Sequence, residues 1–213
     1  MNNNTGKKIL ILAPHTDDGE LGCGGSISKY IEEQNEVYYV AFSLCKNSLP
    51  EGLAENTLEI EVKAATKILG IKEGNLILFD FEVRKFKENR QEILEELIKL
   101  RNRINPDLVF LPCSTDIHQD HQTIYEEGVR AFKQTSILGY EMPWNNISLQ
   151  TTSFIKLSDF HIETKVKALE AYLSQKHRTY LNSNFIKSLA TTRGVQIGHQ
   201  YAEAFEVIRW IIN

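Results

Sequence analysis

Cysteine is scarce: Cys23, Cys45 and Cys113 are odd in number, far apart and without a CxxC pair. They do not make a disulfide framework, and a reducing compartment suits them better. Long apolar runs are missing as well. The longest near the amino end, Ile9 to Ala13, is too short for a signal-peptide core and runs straight into His15, Asp17 and Asp18. Nothing approaches the roughly 20 apolar residues that span a bilayer, and Phe205 to Ile212 is interrupted by Glu206 and Arg209. The expectation is a cytoplasmic protein with no membrane span. Neither sign of charge dominates, since 24 basic against 28 acidic side chains leave a net −4. That balance exerts no general pull on phosphate backbones or anionic lipid, so nucleic acid is not an expected partner and a small molecule is. Repeats, low-complexity stretches and linkers are absent too, which predicts one domain over residues 1–213, large enough to bury a real core.

What is present is an alternation of buried strands and amphipathic helices. Lys8 to Ala13 is a continuous apolar stretch of the kind a parallel strand buried on both faces requires. A turn containing Pro14, Gly19, Gly22, Gly24 and Gly25 follows, then a helix from near Ser26 through Ile31. Val37 to Phe42 reads as a strand, and Thr57 to Leu69 as a helix closed by Gly70. Leu76 to Phe81 (strand), Gln91 to Ile104 (helix before Pro106), Leu108 to Leu111 (strand) and Thr123 to Phe132 (helix) continue the pattern. Beyond residue 135 come short strands at Leu138 to Glu141 and Ser153 to Lys156, a helix from Thr164 to Leu173, and a strand or helix near Phe205 to Ile212. The reading is α/β: a Rossmann-like, open, mainly parallel sheet flanked by helices. Ligand sites in such sheets lie beyond the carboxyl ends of strands.

Two polar clusters occupy that position. Pro14-His15-Thr16-Asp17-Asp18-Gly19-Glu20 follows the first strand, and His118-Gln119-Asp120-His121 follows the fourth. A catalytic zinc takes three nitrogen and oxygen ligands and keeps a fourth position for water. Two histidines and an aspartate meet that count, and the surplus aspartate and histidine are what amide hydrolysis needs beyond the metal. Paired aspartates in a glycine-rich loop more often cap a helix or tie a turn, by about two to one. Both clusters at strand ends of one sheet reverse those odds. A dinucleotide site is disfavoured: Gly22 and Gly24 match the G-x-G-x-x-G fingerprint but Ile27 takes the third glycine position, and Ser43 stands near where an acid is expected. Tight turning and close helix–strand packing account for the glycines.

The two clusters, with His15-Thr16-Asp17-Asp18 continuing through Gly19-Glu20-Leu21-Gly22-Cys23-Gly24-Gly25, resemble the paired signature of the PIG-L/LmbE family of zinc-dependent N-acetylglucosaminyl deacetylases. Order, loop context and a separation of roughly one hundred residues all agree, and Tyr201-Ala202-Glu203-Ala204-Phe205 resembles a segment of many bacterial members. Thr16 stands where the family usually has proline, and Glu20 where many members place the acid one residue earlier, a form similar to bacterial members acting on glucosaminyl conjugates. The resemblance implies an LmbE-like fold and zinc on His15, Asp18 and His121. It further implies Asp17 as general base, a distinction from Asp18 that spacing alone leaves open. Protonated His118 would stabilise the oxyanion and protonate the leaving amine, and Asp120 would orient a histidine. The implied substrate is an N-acetylated amino sugar or conjugate. Iron in place of zinc, a homo-oligomeric assembly, and a catalytically inactive zinc- or carbohydrate-binding protein of the same fold are compatible alternatives.

Arg84, the Trp144-Asn145-Asn146 segment, Arg193, Tyr201 and Glu203 stand where a ligand wall could form, though solvated, packing or capping roles are at least as common for such residues. His161, His177 and His199 show no ligand spacing, and Cys23 is read as packing.

Overall fold

The computed structural model describes residues 6–212. In chain order its elements are β1 (Lys8–Ala13), α1 (Asp18–Glu32), β2 (Glu36–Ala41), α2 (Thr57–Leu69), β3 (Leu76–Leu78), α3 (Arg90–Ile104), β4 (Leu108–Pro112), α4 (Gln119–Ala131), β5 (Ser136–Tyr140), β6 (Ser153–Leu157), α5 (Asp159–Glu170), α6 (Ser183–Val195) and β7 (Tyr201–Arg209), with short 3-10 turns between some of them. The seven strands form one mixed sheet in the order β3-β2-β1-β4-β5-β7-β6. The first five strands run parallel, and β7 is antiparallel to both β5 and β6.

The continuous apolar run of β1 follows from this placement, because both faces of its strand are covered. Ile9, Ile11 and Ala13 join Tyr39, Phe110, Tyr140 and Phe205 in a core closed by α1, α2 and α5. Leu10 and Leu12 point the other way, into a core closed by α3 and α4. The strand order reverses between β1 and β4, so the crevice beyond their carboxyl ends is the switch point where open α/β sheets bind ligands. Both polar clusters emerge there. Among the described residues no helix is long and apolar enough to cross a membrane.

The glycine-rich stretch departs from the sequence reading: it is not a turn before a helix at Ser26 but the first half of α1, which starts at Asp18. A Cβ at Gly19 would overlap the ring of Tyr39, and one at Gly22 the ring of Tyr140. These glycines let the helix lie directly on the sheet. The helix is broken once, at Cys23 (φ −146°, ψ 24°), and the polar groups freed by the break find partners. Lys165 Nζ donates to the Leu21 carbonyl at 2.7 Å, and Glu203 accepts from the Gly25 and Ser26 amides at 3.0 and 2.7 Å. Glu203 is therefore a buried cap on the second half of α1.

Other boundaries move as well, and β3 ends at Leu78 instead of Phe81. α4 begins at Gln119 rather than near Thr123, with His118 as its N-cap residue. α5 begins at Asp159, where Ser158 and His161 cap reciprocally, five residues before the expected Thr164. The final segment is a strand starting at Tyr201. α6 went unread because its buried stripe is only Ile186, Ala190 and Gly194, two of them small.

Candidate active site

β1 ends at Ala13, and the chain turns through Pro14 and His15 into α1, which starts with Asp17 as N-cap residue and Asp18 as its first helical residue. β4 delivers the loop carrying Asp116 and His118, and α4 carries Asp120 and His121 in its first turn. The two loops meet. Asp18 Oδ2 lies 3.0 Å from His15 Nδ1 and 3.2 Å from His121 Nε2, and the two ring nitrogens are 3.3 Å apart. Donors 2.0–2.1 Å from a tetrahedral zinc are about 3.3 Å from one another, so this triangle has the dimensions of a three-ligand metal face. The ring nitrogens of His15, His118 and His121 also fall within 4.8 Å of one another. The set with Asp18 is the tighter one, and His118 Nδ1 is occupied, accepting from the Asp120 amide at 3.2 Å.

Each histidine of the triangle is oriented from behind by a carboxylate. His15 Nε2 donates to Asp120 Oδ2 at 3.0 Å, and His121 Nδ1 donates to Asp116 Oδ2 at 2.7 Å. Such pairing fixes the tautomer so that the other nitrogen faces a metal. Asp120 is itself held by the Arg84 amide at 2.7 Å, and Arg84 adopts a left-handed φ of 69° to present it. Asp116, the partner of His121, was missed in the sequence. A carboxylate is wanted behind every ligating histidine, and Asp116 stands two residues before His118.

Electrostatics separate the groups. Burial opposes charge on His15, but Asp18 and the hydrogen bond to Asp120 outweigh it and raise the imidazole to about 9. Burial likewise opposes charge on His121, which Asp18 and Asp116 raise to about 10. Those two histidines hold Asp18 well below the usual carboxylate range despite its burial. Asp17 behaves oppositely: burial and the adjacent Asp18 lift it to about 6. His118 is pushed down to about 4 by burial and by the charges of His121 and His15. With His15 and His121 both charged, His118 is held as the neutral ring. A neutral ring with Nδ1 accepting from Asp120 carries its proton on Nε2.

A cavity of about 260 Å³ opens over the triangle, lined among others by Asp17, Arg84, His118, Trp144, Asn145 and Arg178. A larger hollow of about 920 Å³ lies near the amino ends of the strands, around Lys7, Arg101, Asn105 and Trp210, and contains none of the clustered acids and histidines. Of the remaining sequence candidates, Arg193 pairs with Glu141, Tyr201 opens β7 against β6, and Asn146 ties the local turn through Met142 N and Cys113 Sγ. None of these three lines the metal-side cavity. Beneath the first loop, Tyr39 and Tyr172 donate to the Thr16 carbonyl at 2.9 and 2.6 Å and also contact Glu20, fixing the peptide that precedes Asp17.

Comparison with known proteins gives the family and the fold. The family model described as PIG-L, GlcNAc-PI de-N-acetylase, matches residues 10–132, more than half of the chain and the span that carries both loops. A protein of Escherichia coli K12 described as the uncharacterized deacetylase YaiS is 30% identical over 80% of this chain and 93% of its own length. The diacetylchitobiose deacetylase of Thermococcus kodakarensis is 26% identical over 95% of this chain and 83% of its own. Among solved structures, the N,N'-diacetylchitobiose deacetylase of Pyrococcus horikoshii superposes with a TM-score of 0.76 at 22% identity, covering 95% of this chain and 84% of that one. GalB, the 4-carboxy-2-hydroxymuconate hydratase of Pseudomonas putida KT2440, does so at 0.75 and 17%, covering 97% and 98%. At those identities the structures share the fold, and a hydratase among them shows that the fold does not choose the reaction. The chain belongs to the PIG-L family. It is an enzyme of the hydrolytic deacetylase type.

Proposed function

We propose that this chain is a zinc-dependent deacetylase, folded as one domain over residues 1–213, that hydrolyses the acetamide of an N-acetylglucosamine-containing small molecule or conjugate. The observation that carries the reading is the donor triangle of His15, Asp18 and His121, with a carboxylate behind each imidazole and a cavity in front. Relatives named for GlcNAc-PI and diacetylchitobiose supply the substrate class.

His15, Asp18 and His121 would hold the ion, which when bound acidifies water and polarises the amide carbonyl. Two neutral imidazoles and one carboxylate suit zinc, and the geometry leaves the cavity side open. Asp17 takes the proton of the attacking water. Its pKa of about 6 leaves it ionised at neutral pH yet basic enough to hold that proton and pass it to the departing nitrogen. His118 offers an N–H to the oxyanion and, protonated, would also supply a proton to the departing amine. Asp120 and Asp116 touch no substrate and position the two ligand rings.

The test is metal analysis of the purified protein followed by mass-spectrometric screening of acetylated amino sugars. Stoichiometric zinc and loss of one acetyl group from at least one sugar support the reading. A panel left intact by zinc-loaded protein would redirect it to a binding protein of the same fold.

A further inference from the structure

The cavity wall is charged in a way that amide hydrolysis does not require. Apart from Asp17 and Asp18, the lining contains no acidic side chain, although the chain has 28 acids against 24 bases. It does contain two arginines, Arg84 and Arg178, and among the described residues neither forms an ion pair with a carboxylate, whereas Arg90, Arg130 and Arg193 each do. Arg178 is not simply loose in solvent. Its Nε donates to Gln175 Oε1 at 2.6 Å, and Gln175 is a buried residue of the same lining, 6% exposed. The guanidinium also sits with its carbon 5.7 Å from the centre of the Tyr180 ring. Tyr180 in turn stacks on Trp144, centroids 4.0 Å apart and planes within 10°. The result is a layered stack of guanidinium, phenol and indole at the cavity wall, with the arginine held by its Nε.

Each part has a chemical use. Stacking on Trp144 fixes the Tyr180 ring, and the ring in turn supports the guanidinium laid over it. Arg178 lines the cavity with its Nε engaged by Gln175, so its two terminal nitrogens remain available, and such a fork matches a carboxylate or a phosphate. An anionic ligand beside two catalytic-loop aspartates would otherwise be repelled.

We propose that Arg178, Tyr180 and Trp144 form a subsite for a negatively charged group, carboxylate or phosphate, carried by the part of the substrate joined to the acetylated sugar. The proposal rests on the deacetylase reading above and narrows it to anionic conjugates over neutral oligosaccharides.

The experiment compares three substrates with zinc-loaded protein: N-acetylglucosamine 1-phosphate, the glycolic acid glycoside of N-acetylglucosamine, and its neutral methyl glycoside. One or both anionic substrates should exceed the methyl glycoside about tenfold in kcat/KM, chiefly through KM, as expected for one charge-assisted contact. Which of them leads distinguishes phosphate from carboxylate. The advantage should shrink with added salt. Arg178→Gln should lower kcat/KM for the preferred anion about tenfold more than for the methyl glycoside, with Arg178→Lys retaining part of the preference. Equal rates on all three substrates, or an equal loss on all three in Arg178→Gln, would overturn the subsite and leave the deacetylase standing. If no substrate is turned over, the deacetylase reading fails on its own. The subsite is then decided by calorimetric binding of glucosamine 1-phosphate and methyl glucosaminide to wild type and Arg178→Gln. A phosphate advantage that disappears in the variant supports it, and its absence in the wild type overturns it.

Discussion

Lys165 and Glu203 meet inside the break of α1, Nζ to Oε1 at 2.6 Å, with both side chains at least nine-tenths buried. One member takes the carbonyl and the other the amides that the break leaves free, so the pair forms an internal cap for the helix that begins at Asp18 with Asp17 as its N-cap residue. Removing one partner leaves the other charge buried alone, which costs about 3–5 kcal/mol. Lys165→Met should therefore destabilise the protein by roughly that amount, and Lys165→Met with Glu203→Gln by less than the sum of the single changes. Urea denaturation of the four proteins measures the coupling. Additive losses would mean that the two residues act separately.

The carboxylates behind the ligand histidines carry a second prediction. Asp116→Asn and Asp120→Asn each remove a charged acceptor from an imidazole without touching the donor triangle. Zinc affinity should fall by about 10- to 100-fold in each. Competition with a chelator reads this directly. Unchanged affinity in both variants would mean that the ring orientations do not depend on them.

Protons and metal should compete for the same nitrogens. The pKa values of about 9 for His15 and about 10 for His121 lie above the ordinary 6.5. A raised folded-state pKa contributes stability that is complete below pH 6.5 and is lost as pH rises through 9 and 10. The metal-free protein should lose stability over that window, while zinc affinity increases as its binding displaces those protons. Calorimetry at pH 7 in buffers of different ionisation enthalpy should show proton release on zinc binding. Binding without release would contradict the charged pair.

Packing of α1 on the sheet gives a fourth. At Gly22 a Cβ would occupy the space of the buried Tyr140 ring. Gly22→Ala should cost about 1–3 kcal/mol through overpacking, despite alanine's better helix propensity. A thermal melt decides between them: a raised Tm would show that the ring can move aside.

Much of the fold could be read because its signals are local. β1, β2 and β4 are apolar runs, α2 and α3 carry clear stripes, and Gly70 ends α2 with the expected left-handed φ of 88°. The two loops could be paired because strand ends of one sheet share an edge, and the structure brings His15, Asp17, Asp18, His118, Asp120 and His121 to that edge. What escaped depends on distant contacts. Gly19 and Gly22 look like turn residues until Tyr39 and Tyr140 are seen against them. Asp116 acquires meaning only once His121 faces it, and Lys165 finds Glu203 across 38 residues. α6 buries only Ile186, Ala190 and Gly194, a narrow stripe with two small residues that leaves little periodicity to detect.

The most direct test is Asp17→Asn, assayed for zinc content and for deacetylation of a substrate the wild type accepts. Asp17 touches neither ring nitrogen of the donor triangle, so the variant should keep its zinc while kcat falls by about 10²- to 10⁴-fold. Wild-type turnover in zinc-replete Asp17→Asn would contradict the account, because the proton of the attacking water would then go elsewhere.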